Sequence, residues 1–325
     1  MAGGDVSFGR ERGQLLLRDP DRDDFATLRA LIDPADVRFV NIESTLSDQH
    51  GETGSPLNKL VFTGPPIASR SLERAHIDVV SLANNHAWDY GEAALRETFD
   101  HLDRAGIAYV GAGRSRAEAY APRFVERSGF KLGFVAVTDI WNQAYTPHPG
   151  KELVADANLE TMAAAIRQAR AEPGVDAVIL SYHGGDEYVD RPLLRQIEVF
   201  AAAVKAGADV VIGHHPHVVR RVEFVDGRPV LHSLGNLLMR MKTGAPWTEL
   251  GMLARIVLRR GGLAPSVEIC PYRLWGYTAI PLAADPKRQA YEAHFALKYG
   301  WLLRGSGTRM GAFGADGCAA LLPPE

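Results

Sequence analysis

The chain has 325 residues, 46% of them hydrophobic and 23% charged, the composition of a globular protein with a sizeable core. A formal net charge of −3, with no dense Lys/Arg stripe, excludes the electrostatic footprint of a nucleic-acid binder. Only Cys270 and Cys318 occur, which excludes a disulfide framework or a cysteine zinc site; two free thiols are expected, with a single bridge as the alternative.

No stretch approaches the roughly 18 apolar residues of a membrane span. Met1-Ala2-Gly3-Gly4-Asp5 carries neither a charged nor an apolar leader segment. The expectation is a cytoplasmic chain without a membrane span, a removed leader or anchor being the alternative. Only four residues precede Asp5, so the first strand is short or trimmed.

In chain order, a helix-like stretch at 24–32 leads to a strand-like run at 37–42. Helix-like 67–75, strand-like 77–82, helix-like 92–105 and strand-like 107–110 follow. Strand-like 132–137 and 177–181 flank a helix-like stretch at 157–171, and helix-like 193–206 leads to strand-like 209–212. Strand-like runs at 229–234, 252–258 and 266–269 and a helix-like stretch at 286–299 complete the series. Gly106 and Gly207 stand where helix ends favour glycine. This alternation predicts α/β layering with much parallel pairing. Asp226-Gly227 and Gly261-Gly262 predict an antiparallel section near the end. One domain over 1–325 is the economical reading, with 244–325 as a C-terminal extension and the Gly-rich stretch 308–317 as a mobile tail.

Polar clusters follow the apolar runs. They are Gly4-Asp5-Val6-Ser7-Phe8-Gly9-Arg10, Asn41-Ile42-Glu43, Asn84-Asn85-His86-Ala87-Trp88-Asp89-Tyr90-Gly91, Ser181-Tyr182-His183-Gly184-Gly185-Asp186-Glu187-Tyr188, Gly213-His214-His215-Pro216-His217 and His232-Ser233-Leu234-Gly235-Asn236. Open α/β sheets bind ligands beyond the carboxyl ends of their strands, so six such clusters converge on one rim. In extended backbone His215 and His217 point to one side, and two converging neutral imidazoles signal a metal. Each cluster also has a plainer reading. Asp5 and Glu43 can be caps or solvated acids, Asn84 and Asn85 turn residues, and Asp89 the N-cap of the next helix. His183 can be a satisfied core histidine, and 233–236 plain turn chemistry. All these readings must hold together to defeat a shared site.

The succession of these motifs resembles the CapA/PgsA family of poly-γ-glutamate capsule biosynthesis proteins, of the calcineurin-like metallophosphoesterase superfamily, over 4–236. The resemblance implies a four-layer α/β/β/α sandwich of metallophosphoesterase type with two divalent metal ions (Mn, Zn or Fe) on its rim. By position, Asp5 would hold the first metal, Glu43 bridge both, Asn85, His183 and His215 bind the second, and His217 return to the first. Carboxylates can bridge cations, Asn offers a neutral oxygen, and imidazoles suit these metals. His86 is then the natural general acid, oriented by Asp89. The chain departs from the usual Asp-x-His opening, with Ser7 two residues after Asp5. Glu43 stands where phosphoesterases use Asp. Both departures are shared with the capsule family.

Arg10, Lys59 and Glu187 are candidate substrate contacts, with Tyr188 beside them. His214 and His232 are candidate supports for the ligands. Trp88, Trp141 and Trp247 could line a cleft, although burial is the plainer reading for each. Two functions fit. One is a metal-dependent hydrolase of CapA type, linked to poly-γ-glutamate or γ-glutamyl compounds, or a phosphoesterase acting on a small metabolite. The other is a non-catalytic accessory protein that binds an acidic polymer. The partner is accordingly a small molecule or an acidic polymer.

Overall fold

The computed structural model describes residues 1–142, 151–241, 245–261 and 263–325. Gly244 and Gly262, named above, lie outside the described residues. The apolar runs form two mixed sheets. The larger runs, edge to edge, through Arg309–Phe313, Ala319–Leu322, Ser266–Trp275, Leu250–Val257, Ala2–Val6, Phe39–Ile42, Val79–Ser81 and Ala108–Val110. From Ala2–Val6 to Ala108–Val110 its neighbours are parallel; from Leu250 onward they are antiparallel. The smaller sheet runs Val222–Val225, Arg228–Leu231, Val210–His214, Ala177–His183, Phe130–Thr138 and Arg123–Arg127, with the four inner strands parallel.

The period-two alternation of a strand divides the smaller sheet between two cores. Leu132, Phe134, Ala136, Ile179, Val210 and Ile212 join the core shared with the larger sheet, and Phe39 stacks on Phe134 at 5.7 Å. Val135, Val137, Val178, Leu180 and Val211 instead pack with the helices Leu159–Ala171 and Leu194–Ala206. The expected alternation of strand and helix is thus met in a mixed α/β fold. Gly4 allows the closest approach: a Cβ there would meet the Gly235 carbonyl oxygen at 1.8 Å, where Ala2–Val6 lies beside Asn236–Leu238.

Helix boundaries follow local chemistry. Asn158 accepts from the backbone of Glu160 and Thr161 to cap Leu159–Ala171, and Gly207, at φ 112°, ends Leu194–Ala206. Asp226 and Gly227, both at positive φ, turn Val222–Val225 back on Arg228–Leu231 as the sequence predicts. The stretch 24–32 is helical from Ala26 onward, as one 3₁₀ turn, Ala26–Leu28, and then Arg29–Ile32. Arg10–Arg18 is a helix that the apolar pattern misses. Its Arg12 is buried and held by Asp24 at 2.5 Å, so a charge occupies the inward face.

Two expectations about the C-terminal region are corrected. Cys270 and Cys318 are joined as a disulfide rather than free, because antiparallel pairing sets Ile269 opposite Ala319 and so brings residues 48 apart together. The stretch 308–317 is not a loose tail. It contributes Arg309–Phe313 to the sheet edge, with Phe313 against Phe295 at 6.2 Å.

Candidate metal centre

The carboxyl ends of the parallel strands in both sheets meet at one place. Asp5 ends its strand, Glu43 follows Phe39–Ile42, Asn85 and His86 follow Val79–Ser81, and His183 closes Ala177–His183. His215 and His217 follow Val210–His214, but not through an extended pleat as expected. Both adopt left-handed backbone, φ 96° and 57°, and that turn aims the two rings. Arg10 and Tyr188 at the same rim share this conformation, φ 57° and 63°. Such strain collects where surrounding structure imposes it.

Glu43 is the hub. Its Oε1 lies 3.8 Å from His86 Nε2, 3.8 Å from His183 Nε2 and 3.7 Å from His217 Nε2. Both its carboxylate oxygens are buried without a hydrogen-bond partner. A buried unpaired carboxylate costs several kcal/mol. These separations are too long for hydrogen bonds, yet suit ligand atoms that each sit about 2.0–2.2 Å from a shared cation. Asp5, Glu43 and His183 offer ligand atoms within 4.8 Å of one another, as do Glu43, His215 and His217. His217 Nδ1 is also 3.7 Å from Asp5, and His215 Nδ1 is 3.2 Å from His183 Nε2. Asn85 Oδ1 meets His183 Nε2 at 2.7 Å. The residues present therefore fit divalent metal, with Glu43 common to both groups.

Protonation states agree with that chemistry. Burial lowers the pKa of His183, aided by His215, and takes His215 down to about 3, aided by His217; burial also lowers His217 despite Asp5. The imidazoles are neutral near pH 7, the state in which they ligate. Burial works against ionising Asp5, but His214, His183 and His217 outweigh it and hold that carboxyl well below the usual range. Burial raises Glu43, and Asp5 raises it further. A cation is what such a carboxylate lacks.

His86 Nδ1 lies 2.7 Å from Asp89 Oδ2, which fixes the ring, and Asp89 also accepts the Phe62 amide at 3.0 Å. Phe62 lies between His86, ring centroids 4.0 Å apart, and the Arg10 guanidinium, 4.1 Å from the ring centroid. Arg10 donates to the Lys59 carbonyl at 2.7 Å, and Lys59, itself exposed, lines the same cavity as Arg10. Glu187 comes within 4.0 Å of His217. Ser7 accepts the Gly9 amide at 3.3 Å, the bond of a local turn.

Two participants stand in the named clusters without an assigned role, and a third, Asn142, lies outside them. Asn41 donates to Asp5 at 2.8 Å, and Asn236 Oδ1 meets His217 Nδ1 at 2.8 Å. The Asn142 amide nitrogen is 2.8 Å from His86 Nδ1, and its Oδ1 accepts from Asn85 at 2.6 Å. Asn142 follows the strand Phe130–Thr138, so the strand-end rule could have found it. His214 Nδ1 lies 3.3 Å from Asp5 Oδ1, a supporting position as expected. His232 is elsewhere: it pairs with Glu223 at 2.7 Å and packs on Phe200. Trp88 is buried, and Trp247 stacks on His294.

The family model for the bacterial capsule synthesis protein PGA_cap matches residues 1–241, and the chain belongs to that family. It is 28% identical over 219 residues to the PGA biosynthesis protein CapA of Bacillus subtilis, covering 67% of this chain and 56% of that one. It is 30% identical over 215 residues to a probable polyglutamine synthesis accessory protein of Mycobacterium tuberculosis, covering 62% and 55%. The chain thus spans little more than half the length of these relatives. Among solved structures, it is similar to the calcineurin-like phosphoesterase YfkN from Bacillus subtilis, with 14% identity, TM-score 0.45, and coverage of 83% of this chain and 78% of that one. Among the described residues, no helix is long and apolar enough to cross a membrane.

Proposed function

We propose that the chain is a metal-dependent hydrolase of CapA type, acting on γ-glutamyl or related acidic compounds. Two divalent ions, Mn, Zn or Fe, held by Asp5, Glu43, Asn85, His183, His215 and His217 would supply Lewis acidity and a nucleophile at neutral pH. The remaining work falls to side chains of the chain. Asp89 holds His86 Nδ1, so Nε2 faces the Glu43 cluster and can pass a proton to a leaving group. Arg10 supplies a cation at the same rim, with Lys59 and Glu187 contacting substrate beyond it.

The His86–Asp89 pair carries this reading. A site that only holds a metal or a polymer does not need an oriented imidazole 3.8 Å from the bridging carboxylate. The accessory-protein reading draws on the mycobacterial relative, a probable polyglutamine synthesis accessory protein. The Cys270–Cys318 bridge supports an oxidising compartment, in place of the cytoplasmic expectation. The test is turnover of γ-glutamyl peptides, aryl phosphates and phosphodiesters by protein loaded with Mn or Zn. Turnover that falls about 10²–10⁴-fold in His86→Ala supports the mechanism. Absence of turnover on every substrate, or full activity in His86→Ala, leaves the binding reading.

A further inference from the structure

Asn142 is exposed, yet its side chain touches three buried polar residues of the rim, Asn85, His86 and Asp89. Its Oδ1 accepts from Asn85 Nδ2 at 2.6 Å. Its Nδ2 lies 2.8 Å from His86 Nδ1, 3.2 Å from His86 Nε2 and 3.4 Å from Asp89 Oδ1. Such similar distances to both ring nitrogens put the amide over the face of the imidazole, and Nδ1 keeps its bond to Asp89 at 2.7 Å.

The contact crosses between the sheets. Asn85, His86 and Asp89 follow Val79–Ser81 of the larger sheet, whereas Asn142 follows Phe130–Thr138 of the smaller one. Its short segment is pinned beside another residue of the cluster. The Asp139 amide donates to the His183 carbonyl at 3.0 Å, and the Asp139 carboxylate accepts the Tyr182 hydroxyl at 2.8 Å. The buried Thr138 hydroxyl accepts the Ile140 amide at 3.1 Å. Asn142 is thus registered to the strand that carries His183 before it reaches Asn85.

A carboxamide has two chemically opposite ends, and only its oxygen can bind a cation. The shape of Asn85 does not decide which end faces the cluster; its partners do. The Asp89 carboxylate accepts, so the NH₂ end of Asn142 turns to it. The Asn142 oxygen is then left for the NH₂ end of Asn85, and the Asn85 oxygen faces the cluster, 2.7 Å from His183 Nε2. We propose that Asn142 is a positioning residue for Asn85: it holds the NH₂ end of that side chain and so presents its oxygen to the second metal. This rests on the reading of Asn85 as a ligand. Through Asn142, one carboxylate, Asp89, orients both the proton donor and a metal ligand.

The experiment is competition of the Zn-loaded protein with a chromophoric chelator, for wild type, Asn142→Ala, Asn142→Asp, Asn85→Ala and the Asn85→Ala, Asn142→Ala double variant. Asn142→Ala should weaken binding of one ion 10–100-fold, and Asn85→Ala at least as much. The double variant should bind like Asn85→Ala, because two residues acting through one bond do not add. Asn142→Asp should keep the wild-type affinity, since a carboxylate accepts the same bond from Asn85. A residue that only covers the surface would show neither the coupling nor this rescue. Asn142 is exposed, so an unshifted melting curve of metal-free Asn142→Ala checks the fold. Wild-type affinity in Asn142→Ala, losses that add in the double variant, or no rescue in Asn142→Asp overturns the proposal. Wild-type affinity in Asn85→Ala rejects Asn85 as a ligand and overturns the proposal with it. The expected affinities without product from any substrate would reject the hydrolase reading and keep the role of Asn142.

Discussion

Residues 1–241 and residues 245–325 are held together in opposite ways. Around the metal cluster the first region buries Asp5, Asn41, Glu43, His183, His214 and His217 almost completely, with Glu43 and His214 lacking hydrogen-bond partners. The second region is stabilised by apolar burial of Ile269, Tyr272, Phe295 and Tyr299 and by a disulfide; among its described residues the buried polar ones are Thr248, Asp285 and Thr308. One region sacrifices stability to assemble a charged site, and the other supplies stability. Stability and function are therefore separable along the chain.

The sharpest way to break this contrast is Glu43→Gln. Metal content by mass spectrometry should fall to below one ion per protein, while the metal-free variant should melt higher than metal-free wild type. The gain is about 1–3 kcal/mol, because the change removes a buried charge without a partner. The sign follows from Glu43 being raised above its usual value of 4.5. A carboxyl whose pKa is raised by folding favours the folded state at low pH and ceases to do so as it ionises. The advantage of the variant should therefore widen as pH rises from about 4.5. A metal-free variant less stable than wild type at pH 7 would contradict the contrast.

The converse change is Cys270→Ala with Cys318→Ala. Opening a bridge across 48 residues should lower unfolding free energy by about 4 kcal/mol in denaturant melts. Metal content should stay the same. Loss of metal here would show that the second region supports the cluster directly.

Asn236→Ala is the smallest and most diagnostic change. Asn236 orients His217 from a strand whose carbonyl receives the Tyr272 hydroxyl at 2.8 Å, so it joins the two regions. Metal affinity should weaken 10–100-fold by competition with a chelator, with little change in melting temperature. Unchanged affinity would restrict Asn236 to the turn chemistry that its sequence setting suggests.

Much of the site could be read because strand-end placement is a local pattern. Glu43, Asn85, His86, His183, His215 and His217 follow apolar runs, Asp5 follows the first four residues, and all meet in space. Asn41 was placed at the rim without a role and Asn142 was overlooked, because what each contacts depends on which loop of the other sheet faces it. The cysteines were misread for the same reason: 48 residues of separation say nothing about strand adjacency. At 308–317 glycine suggested mobility, where pairing with Ala319–Leu322 and the packing of Phe313 impose order.

By itself the sequence determined the alternation of strands and helices, the residue types at the strand ends and the chemistry those types permit. Such features depend on neighbours a few residues apart, through side-chain period and turn preference. Tertiary structure alone decided that Glu43 sits among three imidazoles, that left-handed backbone at His215 and His217 aims their rings, and that Asn142 meets Asn85. Those outcomes depend on two sheets meeting, and the contacts that join them connect residues tens to hundreds of positions apart.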